Sequence, residues 1–213
     1  MRFIRKVYTI LATQLSITAA FILFVQLYRN TFVDFMIANV GITIFACVGS
    51  IITSIMIICC FGRSHPTNYV LLFIFTICET YMVGGITAGY EPKIVMMAGA
   101  ATAAATIALT VYAMRTKKDI EVFMALAFVV YLAILPIMII CIFIRIEFLY
   151  TLYLCLGIVL YSLYLIIDTM YICKGASFSG RECNYDDHII GALMLYIDII
   201  MLFIYILRLL GKK

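Results

Sequence analysis

Seven long runs of apolar residues, separated by short polar stretches, account for most of the chain. Each run is apolar on every side, whereas the strands of a membrane β-barrel would alternate apolar and polar residues. A helix needs about 20 mostly apolar residues to cross a bilayer, and it satisfies its own backbone hydrogen bonds there. The pattern therefore predicts seven transmembrane helices, at about residues 7–28, 37–61, 69–89, 93–114, 121–144, 148–173 and 188–210.

The connections between these runs are too short to hold a separate soluble domain, which usually takes about 100 residues. Of the 213 residues, 66% are hydrophobic and 12% are charged, whereas soluble domains are roughly half apolar and a quarter charged. The net charge of +4 comes from the span ends, and no basic stripe of the kind that binds nucleic acid is present. We expect an all-α integral membrane protein, with residues 1–213 forming a single transmembrane domain.

The lysines and arginines predict how the chain is oriented. Nine of those near the span ends fall on the side of the N-terminus, and three fall on the opposite side, namely Arg29, Lys93 and Arg145. Cytosolic loops are enriched in Lys and Arg, so the N-terminus is predicted to be cytosolic. Strict alternation then places Lys212 and Lys213 on the far side, a conflict that a re-entrant last segment would remove.

The fourth run contains an unusual concentration of small residues, with Ala, Gly and Thr filling positions 98–106. Small side chains let helix backbones approach closely in lipid. We therefore expect this helix to lie at the centre of the seven-helix bundle.

Three acidic residues lie inside the predicted spans: Glu79, Asp168 and Asp198. Placing a carboxylate at the centre of a membrane helix costs at least about 2.5 kcal/mol unless it is paired, hydrated or protonated. No Lys, Arg or His lies near the middle of any span, and the nearest possible counter-charge is Arg63 at the end of span two. The acids must therefore bind protons or cations from solution, which indicates an ion pathway. The alternative is that they stay neutral and only hydrogen-bond neighbouring helices together.

Asp168 and Asp198 are equidistant in sequence from residue 183, which lies in the loop between spans six and seven. Equal distance from the turn of a helical hairpin gives roughly equal depth, so the two carboxyl groups are predicted to meet. Two carboxylates in contact in apolar surroundings cannot both remain ionised, and such a pair binds and releases protons as a unit. We predict a pH-sensing pair at Asp168 and Asp198, and an ion pathway at Glu79. His65 and His188 lie at span ends and are interpreted as interfacial residues rather than metal ligands.

Several segments in order along the chain resemble the transmembrane BAX inhibitor motif family, also called the lifeguard family. The resemblance is to the branch of the Golgi anti-apoptotic protein in particular. The matching segments are residues 3–8 with Gln14, residues 109–112 followed by 117–119, residues 167–169, and residues 195–200 followed by 202–203 and 207–208. The chain departs from the family pattern at Met201, where the branch usually has Asn, and at Ile167, where an aromatic residue is usual.

The resemblance implies a calcium-permeable leak in a Golgi or endoplasmic reticulum membrane. Such a leak is sensitive to pH, lowers the calcium content of the store and suppresses apoptosis. The family's pH-sensing aspartates match Asp168 and Asp198, Glu79 matches an acidic position in span three, and Arg63 matches only loosely a span-two arginine linked to the pair. The implied partners are calcium, protons and the bilayer, with apoptosis regulators or calcium-release channels as protein partners. Neither a cofactor nor a fixed metal is implied, only transient calcium near Glu79 and Asp198, and no enzyme activity is expected.

Two other readings of the same residues stay open. The first is a membrane regulator of apoptosis that acts through partner binding and conducts nothing. The second is an intramembrane aspartyl protease, because two aspartates on adjacent helices suit that chemistry. Such proteases carry a glycine-containing step before the second aspartate, whereas here Leu195-Tyr196-Ile197 precede Asp198.

Overall fold

The structure is a computed structural model that describes residues 2–61, 64–144, 146–174 and 188–212. Seven of its helices are long and apolar enough to cross a membrane, and their ends lie within four residues of the predicted ends. The predicted all-α fold with seven spans is thereby confirmed. In chain order the helices are α1 (Arg2–Leu27), α2 (Arg29–Ala38), α3 (Val40–Met56, continued by a π-helical turn over Ile57–Phe61), α4 (Thr67–Ala88), α5 (Pro92–Arg115), α6 (Ile120–Phe143), α7 (Glu147–Lys174) and α8 (His188–Leu210).

Helix α2 is an addition that the hydrophobic pattern did not predict, because its ten residues are too few and too polar to form a span. Its Phe32 is buried, and the ring packs edge-on against Phe21 of α1 and Tyr81 of α4 at 5.7 Å from each. The Arg29 side chain donates a hydrogen bond from Nε to the carbonyl of Ala88 at 2.6 Å. This bond satisfies a carbonyl in the last turn of α4, which has no partner within its own helix.

The chain divides into two compact units, of which the first comprises Met1–Pro92 and Cys183–Tyr196. In this unit α4 packs against α1, α2 and α3. The second unit comprises Lys93–Glu182 and Ile197–Lys213, and in it α6 packs against α7 around a shared apolar core. Helix α8 therefore contributes its first part to one unit and its second part to the other. A single domain over residues 1–213 stays a prediction.

The small-residue helix α5 is mostly exposed, so its burial does not support a central position, which stays a prediction. Only 17% of its most apolar window is buried, compared with 67% for α8 and 50% for α4. Small side chains let two helix backbones approach each other closely. They bury little surface area themselves, so they do not require neighbours on every side of the helix. In α8 large apolar residues such as Leu193, Leu202 and Leu207 are fully buried. The last segment is moreover one continuous helix of 23 residues, as a full span would be, rather than a re-entrant one.

Gly84 of α4 supplies a close helix contact, and its replacement is expected to destabilise the protein. A Cβ atom at this position would lie 2.7 Å from Cε1 of Phe21, whose ring is held in place by Phe24 and Phe32. We expect Gly84→Ala to lower the free energy of unfolding by about 1–3 kcal/mol, as overpacking does in other cores. The matched control is Gly99→Ala, because a Cβ at Gly99 meets nothing within 4 Å and alanine favours helix.

Thermal unfolding in detergent measures this difference directly. The Gly84→Ala protein should melt at a clearly lower temperature than wild type, and the Gly99→Ala protein at the same temperature or slightly above it. Equal melting temperatures for the two variants would show that the Phe21 ring moves aside freely.

Candidate functional site

The structure brings Asp168 and Asp198 together within the second unit. Asp168 lies on α7 and Asp198 on α8, and their carboxyl groups are within hydrogen-bonding reach of each other. Asp198 is 6% exposed and Asp168 is half-buried. Two carboxyl groups can share a hydrogen bond only when one of them carries a proton, because two ionised carboxylates have acceptors and no donor.

One oxygen of this pair has no hydrogen-bond partner in the described part of the chain, namely Oδ2 of Asp198. A buried polar atom without a partner costs about 1–3 kcal/mol, and more if it is charged. None of the groups that act on Asp168, Asp198 or Glu79 among the described residues is basic. This oxygen receives no N–H or O–H from the described residues, so a proton shared with Asp168, a water molecule or a cation would satisfy it.

Glu79 lies in the first unit, on α4, and is half-buried. The hydroxyl of Ser50, a buried residue of α3, lies within hydrogen-bonding reach of its carboxyl group. Of the predicted site residues, Asp168 and Asp198 thus share one unit and Glu79 belongs to the other. Arg63, the proposed counter-charge, lies outside the described residues.

A row of buried hydroxyl and amide groups accompanies Glu79 in the first unit. Gln14 of α1 donates to Thr76 of α4 at 2.8 Å, and Thr18 is hydrogen-bonded to Thr80 at 2.9 Å and to the hydroxyl of Tyr196 at 2.8 Å. All five side chains are buried. The sequence carried a signal for this row, because polar residues four apart on each of two spans lie on one helix face and indicate a polar seam.

His65 and His188 are far apart in sequence, yet the first unit brings them together. Their rings stack with centroids 5.8 Å apart, and Nε2 of His188 is hydrogen-bonded to the hydroxyl of Tyr69 at 2.8 Å. Among the residues that the structure describes, no three His, Cys, Asp or Glu side chains converge on a common point. A cation at the acid pair would therefore be held by two carboxyl groups and water, which suits transient binding.

Residues 1–213 match the family described as "Inhibitor of apoptosis-promoting Bax1". Human protein lifeguard 3 is 32% identical over 221 residues, which cover 99% of this chain and 68% of the relative. Mouse protein lifeguard 3 is 31% identical with 99% and 69% coverage. LIFEGUARD 4 of Arabidopsis thaliana is 32% identical over 215 residues with 96% and 82% coverage.

Proposed function

This chain belongs to the BAX inhibitor, or lifeguard, family of multi-pass membrane proteins, and we propose that it is a pH-sensitive calcium leak. The family expected from its sequence motifs is thereby confirmed, and its place in the Golgi anti-apoptotic branch stays a prediction. Membership supports an anti-apoptotic role for the protein. The calcium leak, its pH dependence and its membrane are the proposal.

The observation that carries this proposal is the contact between the carboxyl groups of Asp168 and Asp198, in which a buried oxygen of Asp198 receives no hydrogen bond from the described residues. At acid pH a shared proton joins the two carboxyl groups and so joins α7 to α8. At alkaline pH the proton leaves, and two negative charges at hydrogen-bonding distance repel each other strongly in a medium of low dielectric constant. The pair therefore has two arrangements, and the balance between them depends on pH.

A calcium ion can neutralise the deprotonated Asp168–Asp198 pair in place of the proton. Ca²⁺ prefers carboxylate oxygens and accepts water in its remaining coordination positions. Protons and calcium then compete for the same two carboxyl groups. Glu79, a half-buried carboxyl group in the other unit, is proposed to attract the cation on its way across the membrane.

The proposed location is a Golgi or endoplasmic reticulum membrane with the N-terminus in the cytosol, as the excess of Lys and Arg on that side indicates. A leak there lowers the calcium content of the store, and with it the calcium available to trigger cell death. Apoptosis regulators and calcium-release channels are the proposed protein partners. No catalytic step is needed for this function.

Calcium flux across proteoliposomes tests the proposal. Purified protein is reconstituted into vesicles loaded with a calcium indicator, and calcium entry is measured at a series of pH values against protein-free vesicles. We expect an entry rate that exceeds the protein-free rate and changes with pH. Folded protein that conducts no calcium at any pH would support the rival function, a regulator that acts through partner binding alone.

A further inference from the structure

A stripe of tyrosines follows one face of α7 from the end near Glu147 to the acid pair. The members are spaced three or four residues apart, which places them on one side of an α-helix. The stripe spans 18 steps of the helix, or about 27 Å at 1.5 Å per residue, which is close to the thickness of the hydrocarbon core. Its members are Tyr150, Tyr153, Gly157, Tyr161, Tyr164 and Asp168.

Gly157 interrupts the stripe, and Tyr205 of α8 takes the place of the missing side chain. A Cβ atom built at Gly157 would collide with the ring of Tyr205, so only glycine lets that ring lie against α7. The hydroxyl of Tyr205 is hydrogen-bonded to the hydroxyl of Tyr153 at 2.9 Å. Its ring centroid lies 5.5 Å from that of Tyr161. Tyr205 thus connects the two halves of the stripe. We call these five residues the tyrosine seam: Tyr150, Tyr153, Tyr161, Tyr164 and Tyr205.

The far end of the tyrosine seam opens into a pocket of about 320 Å³ in the same unit. Tyr150 lines this pocket together with Glu147 and Lys212. Nζ of Lys212 donates to the backbone carbonyl of Glu147 at 2.9 Å and to the hydroxyl of Thr151. The pocket is therefore lined by a carboxylate, an ammonium group and a phenol. Such groups attract water into the pocket and can exchange protons with that water.

The near end of the seam reaches the acid pair. Tyr161 and Tyr164 precede Asp168 by seven and four residues on the same face of α7. Both interact electrostatically with Asp198, and Tyr164 does so with Asp168 as well. In the described part of this unit, the other titratable or charged groups that act on these tyrosines are Tyr131 from α6 and Arg208 from α8.

We propose that the tyrosine seam is the route by which protons from the pocket reach the Asp168–Asp198 pair. A phenol hydroxyl both donates and accepts hydrogen bonds, so each tyrosine can pass its proton to the next group and receive one from behind. Water completes the steps between hydroxyls that are not in contact. One proton leaves water at the pocket and one is gained by the carboxylate, with no oxidation or reduction. The proposal rests on the proposed pH-sensing role of the pair and adds the path that serves it.

A structural role for the same residues makes a different prediction, which the variants can separate. If the tyrosines only fill space, phenylalanine would serve equally well, because it keeps the ring and loses only the hydroxyl. If they form a relay, Tyr205→Phe and Tyr153→Phe slow protonation without changing its equilibrium, because a relay affects rate alone. Gly157→Ala should act in the same direction by displacing the Tyr205 ring while keeping its hydroxyl.

The test is time-resolved infrared spectroscopy of the full-length protein in lipid after a rapid drop in pH. The carbonyl band of the protonated pair, assigned by its change in Asp168→Asn and in Asp198→Asn, reports proton uptake whether or not calcium moves. We expect the band to rise about tenfold more slowly in Tyr205→Phe and Tyr153→Phe than in wild type, with an unchanged equilibrium titration. Tyr112→Phe is the matched control, because this tyrosine lies on α5 and packs against Phe123 outside the seam.

The outcomes separate the seam from the leak. Wild-type kinetics in both phenylalanine variants would overturn the seam, and so would a shifted titration with unchanged kinetics, which is the mark of a purely structural hydroxyl. A slowed band in protein that conducts no calcium would support the seam and overturn the leak. Should Gly157→Ala fail to fold, the two phenylalanine variants still decide, because they leave the packing of the rings in place.

Discussion

In the Asp198→Asn protein, we expect calcium entry into vesicles to lose its dependence on pH. The amide of asparagine cannot ionise, but it can donate a hydrogen bond to the Asp168 carboxylate, as a protonated Asp198 would. The variant therefore imitates the proton-sharing arrangement at every pH. Its rate of calcium entry should stay at the value that the wild type shows at acid pH, so that the ratio of acid to alkaline rates falls to about one. The reciprocal change, Asp168→Asn, should have the same effect.

Asp34→Asn is the matched control for this change, because Asp34 is an exposed aspartate on α2. It should keep the wild-type pH profile. A full wild-type pH response in Asp198→Asn would mean that the pair is not the sensor. The two carboxyl groups would then serve only to hold α7 and α8 together.

The Glu79→Gln protein is expected to conduct calcium about tenfold more slowly, or slower still, at every pH tested. A unit charge about 4 Å from a second one contributes about 4 kcal/mol at an effective dielectric constant of 20, and a divalent ion is attracted twice as strongly. Losing even a third of one such interaction lowers a rate by about a factor of ten. The shape of the pH profile should survive, because the acid pair is intact. The same vesicle assay measures both the rate and the profile.

Glu121→Gln is the control for the Glu79 variant, because Glu121 is an exposed glutamate in the first turn of α6. It should conduct as the wild type does. An unchanged rate in Glu79→Gln would remove Glu79 from the ion pathway and would restrict its role to the contact with Ser50.

The sequence predicted the spans closely because both the length and the uniform apolarity of a membrane helix follow from the bilayer itself. It also predicted the meeting of Asp168 and Asp198, since this needed only a regular helical hairpin and a count of residues from its turn. The helix α2 was not predicted, because Asn30 and Asp34 lie among its apolar residues and give the segment the polarity of a loop. Its helical form depends on packing of Phe32 between two other helices, which a local pattern does not contain.

Prediction from sequence was weaker where one pattern is compatible with more than one packing. The small residues of α5 allow a close neighbour without requiring one, and most of that helix is exposed in the structure. Tyrosine is common at membrane interfaces, so the tyrosine content of α7 did not by itself indicate a role inside the span. The three- and four-residue spacing of these tyrosines down to Asp168 was the signal that would have placed them inside the span. The partnership of Tyr205 with Gly157 involves two helices and could be seen only in the structure.

The hydrogen bond from Arg29 to the carbonyl of Ala88 has a consequence for the topology of the chain. The guanidinium lies at the C-terminal end of α4, where the aligned peptide dipoles carry a partial negative charge. Its charge is therefore offset within the protein and is less available to lipid phosphates on that side. Of the three cations that the sequence places on the side opposite the N-terminus, one is thus partly offset by the fold. In the folded protein, the charge asymmetry from which a cytosolic N-terminus is predicted is therefore larger than a count of basic residues indicates.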